Sequence, residues 1–146
     1  MAIKDKRWGL TGRVVIRDEQ GRILFLRRSK TNRTFVGCWE WPGGKVDAGE
    51  DIAAAVVRET KEEIGLEVRI TGFATAFHFE LDAVHVVTIC MEAQIIGGTL
   101  QLSDEHDAHA WLTAENLPAY PLTEPHKNAI TAYVQLCRKD ERSTPR

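Results

Sequence analysis

The chain has 146 residues, 43% of them hydrophobic and 27% charged, which suits one domain with a substantial core and is too short for two full ones. Nineteen basic residues against 21 acidic give a formal charge of −2 and no electrostatic footprint for duplex nucleic acid. Val84–Met91, the longest apolar run, is too short to cross a bilayer, and Met1–Lys6 lacks the apolar stretch of a signal peptide. Cys38, Cys90 and Cys137 lie far apart without paired spacing, so reduced thiols and a cytoplasmic location are expected.

In chain order, Gly12–Arg17 and Arg22–Arg27 are β-rich runs around Asp18–Gly21 and predict a hairpin. A basic loop follows, then the aromatic stretch Phe35–Trp41, and Pro42-Gly43-Gly44 marks a turn. Asp51 to Ile64 predicts a helix that Gly65 stops. Glu67–Phe79 and Val84–Ile96 predict two strands, the second ended by Gly97-Gly98, and Ala108–Leu112 a shorter one. Thr123 as N-cap and Pro125 in the first turn open a last helix to about Cys137. A single domain over 1–137 and a flexible tail over 138–146 are expected. The order predicts an α/β (α+β type) fold, a mixed sheet between helices.

The chemistry concentrates on the first helix. At about 100° per residue, Ile52, Ala53, Val56, Val57, Thr60 and Ile64 form one apolar arc. Glu59, Glu62 and Glu63 are spaced i, i+3, i+4 beside it, with Glu63 at its apolar edge. They occupy the last two turns, where the macrodipole disfavours each acid by roughly 0.3–1 kcal/mol. Stability alone would place them at the other end, so a compensating cation is expected. Carboxylate oxygens suit a hard divalent ion, Mg²⁺ or Mn²⁺. A solvated acidic face is the bland alternative. Arg58 stands against it, since a guanidinium there can hold carboxylates in place.

Gly44, Glu50, Arg58-Glu59, Glu62-Glu63, Ile64 and Gly65-Leu66, at this spacing, resemble the complete box of the Nudix hydrolases. Thr60 departs from the family's usual aliphatic residue, at a packing position. The flanks Ile23–Arg28 and Gly37–Val46 are similar too, the latter to the MutT-type branch. The resemblance implies a loop–helix–loop box on an α/β/α sandwich with a mixed sheet, and metal-assisted hydrolysis of a nucleoside diphosphate linked to another group. It implies metal ligation by Glu59, Glu62, Glu63 and the Gly43 carbonyl, with Arg58 orienting Glu59. Gly44, Glu50 and Gly65 support the box. Glu105, in the loop before the last strand, is the candidate for an extra ligand or base, against a plain solvated acid. Glu59 is the other candidate base.

For substrate, Arg27 could grip a phosphate from the sheet edge, or be an exposed strand charge. Trp39, Trp41, Phe77 and Phe79 could stack on a base, although aromatics in strands are more often core. His78 and His85 read as structural. Thr123 stands where branch members that read oxidised guanine carry Asn, and a hydroxyl reads a purine edge less fully. The expected activity is Mg²⁺-dependent cleavage of a nucleoside triphosphate, oxidised or not, to monophosphate and pyrophosphate. An ADP-ribose or nucleotide-sugar pyrophosphatase is the alternative, and a non-catalytic nucleotide-sensing domain the alternative of another class. The partner expected is a small nucleotide, with no duplex nucleic acid and no membrane; a homodimer is left open.

Overall fold

The computed structural model describes residues 5–143, with only the backbone described over 139–143. Strands β1 (Arg7–Ile16) and β2 (Ile23–Arg28) flank the expected turn. There the Asp18 carboxylate accepts from the Gln20 and Arg22 N–H groups at 3.0 and 2.8 Å. The hairpin itself does not form. The two runs meet only at an Arg17–Ile23 bridge and then part into different sheets. The cause is in the residues: Val14, Val15, Ile16 and Ile23 to Leu26 are all buried, so neither strand has a polar face to turn to water. Each must be covered on both sides.

The larger sheet runs β4 (Gly43–Lys45), β1, β6 (Val84–Gly98), β5 (Leu66–Leu81). Its β1–β6 pair is parallel and the others antiparallel, which makes it the mixed sheet expected. A second, antiparallel sheet runs β3 (Trp39–Glu40), β2, β7 (His106–Leu112).

Side-chain alternation along β1 and β2 feeds two cores. Val14, Ile16, Leu24 and Leu26 pack with Val56 and Ile64 of helix α1 (Ile52–Ile64). Val15, Ile23 and Phe25 pack with Ile130, Tyr133 and Val134 of helix α2 (Lys127–Ser143). The helices therefore lie on opposite sides of the strands, completing the α/β/α sandwich.

The first helix is specified locally. The Asp51 side chain caps it by accepting from the Ala54 N–H at 3.0 Å, an interaction worth about 1 kcal/mol. Gly65 ends it at φ 74°, and a Cβ there would lie 2.5 Å from the Thr99 carbonyl oxygen. The last helix differs from expectation at both ends. Thr123 does not cap it with its side chain; a 3₁₀ turn over Glu124–His126 comes first. Beyond Cys137 the helix continues to Ser143, where Arg, Lys and Glu favour helix without needing burial. Residues 144–146 lie outside the described part.

Candidate active site

Arg58 organises the acidic end of α1. Its guanidinium donates to Glu50 from Nε (2.7 Å) and Nη2 (2.9 Å), to Glu59 at 3.0 Å and to Glu62 at 3.1 Å. Glu50 is held below the usual carboxylate range by these bonds, and the Arg58 pKa is raised in return, by the Glu50 bond first. Glu59 is different. Burial, with repulsion from Glu62 and Glu63, lifts its carboxyl above the ordinary value despite Arg58. Its carboxylate lies flat against Gly44, where a Cβ would come within 2.6 Å of Oε2. The unusual Thr60 is fully buried, and its hydroxyl returns a hydrogen bond to the Val56 carbonyl at 2.7 Å. No polar group is stranded by the departure from an aliphatic residue.

Glu63, 5% exposed, faces inward. Its Oε2 accepts from the Gly43 N–H at 2.9 Å, and its Oε1 lies 3.0 Å from His106 Nδ1. The other ring nitrogen, His106 Nε2, lies 3.0 Å from Glu40 Oε2. Glu105 brings a carboxylate to the same spot: one ligand atom from each of Glu63, Glu105 and His106 falls within 4.8 Å of the others. Burial would lower the His106 pKa, but the bond to Glu40 and the nearby Glu63 carboxylate carry it up to about 9.

Glu40 anchors the other end of this chain of contacts. It is 2% exposed, and Arg28 donates to both its oxygens at 3.3 and 3.2 Å. Arg13 stands 3.6 Å away, itself donating to the Trp41 carbonyl, and the Thr123 hydroxyl lies 3.4 Å from Glu40 Oε1. Burial would raise the Glu40 pKa, yet Arg13, His106 and Arg28 hold it well below the carboxylate range.

These groups wall a cleft of about 180 Å³ lined by Arg13, Arg28, Phe35, Glu40, Phe79, Thr123 and His126. His126 is neutral there, because burial and then Arg13 lower its pKa to about 3, and its ring packs on Phe77 and Phe79. A larger hollow of about 420 Å³ beside α2, lined by Tyr120, Pro121 and Val134 among others, contains neither the α1 acids nor the Glu40 cluster. The smaller cleft lacks the α1 acids too, but its wall includes Glu40, which His106 links to Glu63.

Of the residues singled out in the sequence, Glu59, Glu62, Glu63, Gly43, Gly44, Glu50 and Arg58 are gathered together, and Glu105 joins Glu63. Phe79 and Thr123 line the cleft. Three of the others are placed differently. Trp39, on edge strand β3, is built into the core edge-on to Tyr120, and Trp41, just beyond β3, is fully buried between Phe25 and Tyr133 in the same core. Arg27 is bound to Asp107 at 2.7 Å and lies over the Trp39 ring. His78 is exposed; His85 stacks on Trp8 and bonds Glu80. Sequence reasoning missed Arg13, Arg28, Glu40, His106 and His126. The available signal was a charge enclosed by aromatics in Trp39-Glu40-Trp41, with arginines on otherwise apolar strands.

The donor set suits a hard divalent cation. Glu63 and Glu105 bring carboxylate oxygens close together, and Glu59 and Glu62, held by Arg58 on the same helix as Glu63, offer more. Among the described residues no helix is long and apolar enough to cross a membrane.

A family model described as "NUDIX domain" matches residues 9–133. Over 120 residues the chain is 33% identical to an ADP-ribose pyrophosphatase of Methanocaldococcus jannaschii, covering 81% of this chain and 69% of that protein. Over 119 residues it is 30% identical to the CTP pyrophosphohydrolase of Escherichia coli, covering 82% of this chain and 87% of that protein. A crystal structure of a MutT protein from Methanosarcina mazei superposes with a TM-score of 0.80 at 29% identity, covering 96% of this chain and 99% of that one.

Proposed function

Because the chain belongs to the NUDIX domain family, whose relatives here are pyrophosphatases acting on phosphoanhydride bonds, we propose that it cleaves a nucleoside triphosphate to monophosphate and pyrophosphate with Mg²⁺. The observation that carries this reading is the juxtaposition of an arginine-held oxygen-donor cluster with a cleft containing two arginines and a phenylalanine.

In this reading Glu59, Glu62, Glu63 and Glu105 hold the cation, joined by the Gly43 carbonyl, and Mn²⁺ can replace Mg²⁺. When bound, the cation neutralises phosphate oxygens and activates water. Arg58 fixes the Glu59 and Glu62 carboxylates; Glu50 fixes Arg58 in turn. Glu59, with its raised pKa, takes the proton from the attacking water. Arg28 and Arg13 present donors to anionic substrate oxygens at the cleft, Phe79 offers a stacking face, and Thr123 and neutral His126 shape the floor. Trp39, packed on Tyr120, and Arg27, paired with Asp107, are given no binding role in this reading.

A second reading, an ADP-ribose or nucleotide-sugar pyrophosphatase, uses the same machinery and is favoured by the likeness to the archaeal ADP-ribose enzyme. Release of phosphate and pyrophosphate from a panel of NTPs, dNTPs, 8-oxo-dGTP, ADP-ribose and nucleotide sugars separates the two. Run with Mg²⁺, Mn²⁺ and EDTA, it is expected to show metal-dependent pyrophosphate release from a triphosphate. Binding without turnover on every member of the panel would instead make the chain a nucleotide sensor.

A further inference from the structure

Phe35 is the one non-glycine residue among those described with a left-handed backbone, at φ 54°. A bulky side chain rarely adopts that conformation and keeps it only where its surroundings over-determine it. Here Arg28 pins the chain on both sides. Its Nε donates to the Thr34 carbonyl at 3.1 Å, its carbonyl accepts from the Gly37 N–H at 2.9 Å, and its N–H donates to the Cys38 carbonyl at 2.9 Å. The Cys38 N–H closes the turn onto the Phe35 carbonyl at 3.1 Å. Asparagine or glycine would take this backbone at lower cost, yet the position carries a phenyl ring. Core packing does not account for it. The residue is 36% exposed, joins neither hydrophobic core and, among the described residues, stacks on no other ring.

What Phe35 does meet is the cleft. From the 29–38 loop it lines that space with Phe79 of β5, Leu81, Pro125 and the two arginines, Arg13 and Arg28. Apolar walls beside guanidinium groups suit a ligand that joins a flat aromatic ring to an anion. We propose that Phe35 is a specificity-determining residue whose ring forms the loop-side wall of a slot for the nucleobase, with Phe79 as the strand-side wall. The assignment rests on the nucleotide reading above and adds where the base lies and what holds it. Every base has a π face, so this slot selects nucleotides over base-free phosphates rather than one base over another. The left-handed backbone then has a use. It holds the ring at the cleft before the ligand arrives, so little freedom is lost on binding.

Binding of AMP and CMP, set against ribose 5-phosphate, isolates the base because all three share the sugar phosphate. In NMR titrations the wild-type protein is expected to bind both nucleotides more tightly than ribose 5-phosphate. Phe35→Ala should weaken AMP and CMP about 5–100-fold and leave ribose 5-phosphate within about twofold. Phe35→Tyr should keep wild-type affinities, and so should Val36→Ala, at an exposed neighbour that does not line the cleft. Phe35→Gly separates this role from a structural one. It relieves the backbone, so it should melt no lower than wild type while losing the same base-dependent affinity as Phe35→Ala. A wild-type protein that binds the nucleotides no better than ribose 5-phosphate would overturn the assignment. So would unchanged nucleotide affinity in Phe35→Ala, equal weakening of all three ligands, or a Phe35→Gly variant that melts well below wild type. The turnover panel fails independently: nucleotide binding through Phe35 without hydrolysis would remove the reaction and keep the slot.

Discussion

Replacing Glu40 by Gln tests the buried polar cluster on which the cleft is built. The carboxylate is 2% exposed and faces Arg28 at 3.2 Å, His106 at 3.0 Å and Arg13 at 3.6 Å, with the two arginine side chains only 18% and 11% exposed. The amide keeps the shape but removes the charge that all three offset, leaving cationic groups in a site poor in water. Breaking a buried pair in this way costs about 3–5 kcal/mol. For a chain of this size each kcal/mol moves the melting temperature by about 2–4 °C, so a fall of about 6–20 °C is expected. Calorimetry on the metal-free protein at pH 7.5 measures it, with Glu67→Gln as a control. That residue pairs with Lys61 at the surface, where solvent screens the interaction, and its replacement should leave the melting point unchanged. The pH dependence has a definite sign. Glu40 is held below its unfolded value of 4.5, so its contribution is present above that value and lost as pH falls toward the folded one. The gap between wild type and variant should therefore narrow below about pH 4.5. A fall of under about 3 °C at pH 7.5, or a gap that widens in acid, would refute the reasoning.

The other predictions concern the box and its surroundings. Glu62→Gln and Glu63→Gln should each lower kcat by at least about 100-fold, and only the second, buried beside His106, should also lower the melting temperature. Near-normal steady-state rates in both would remove them from the ligand set. Gly44→Ala should displace the Glu59 carboxylate, which a Cβ would meet at 2.6 Å, and reduce turnover at unchanged secondary structure by circular dichroism. Added Mg²⁺ should raise the wild-type melting midpoint by linkage, and the rise should vanish in a Glu59→Gln, Glu62→Gln double variant. His126 is buried neutral with its pKa lowered to about 3, so it opposes folding as pH drops from about 6.5 toward 3. His126→Phe should therefore lose less stability over that interval than wild type, as measured by urea unfolding.

How much of this was legible beforehand depended on how local the cause was. The first helix could be read almost to the residue because Asp51, the apolar arc and Gly65 act within a few turns of one another. The inward turn of Glu63 followed from the same period. The supposed hairpin failed because β-rich runs flanking a turn do not state which neighbour they pair with, and full burial of both runs decided the matter. Thr123 had the residue type of a cap, but its hydroxyl was claimed from far along the chain, by the Trp39 carbonyl at 3.3 Å and by Glu40. The assembly of Arg13, Arg28, Glu40 and His106 escaped notice for the same reason. Its members come from β1, β2, β3 and β7, and nothing near any one of them announces the other three.

The alternation along β1 has a consequence for how such a protein can diversify. Gly12 lies against Val56 of α1, and the next residue, Arg13, serves the cleft; Val14 and Val15 repeat the division between the two cores. Adding or deleting one residue here would exchange the faces of everything beyond it, placing the arginine against α1 and a glycine in the cleft. Lineages can therefore retune what the cleft accepts through point substitutions in this strand, and through length changes in the 29–38 loop, but an indel within β1 would destroy both surfaces at once.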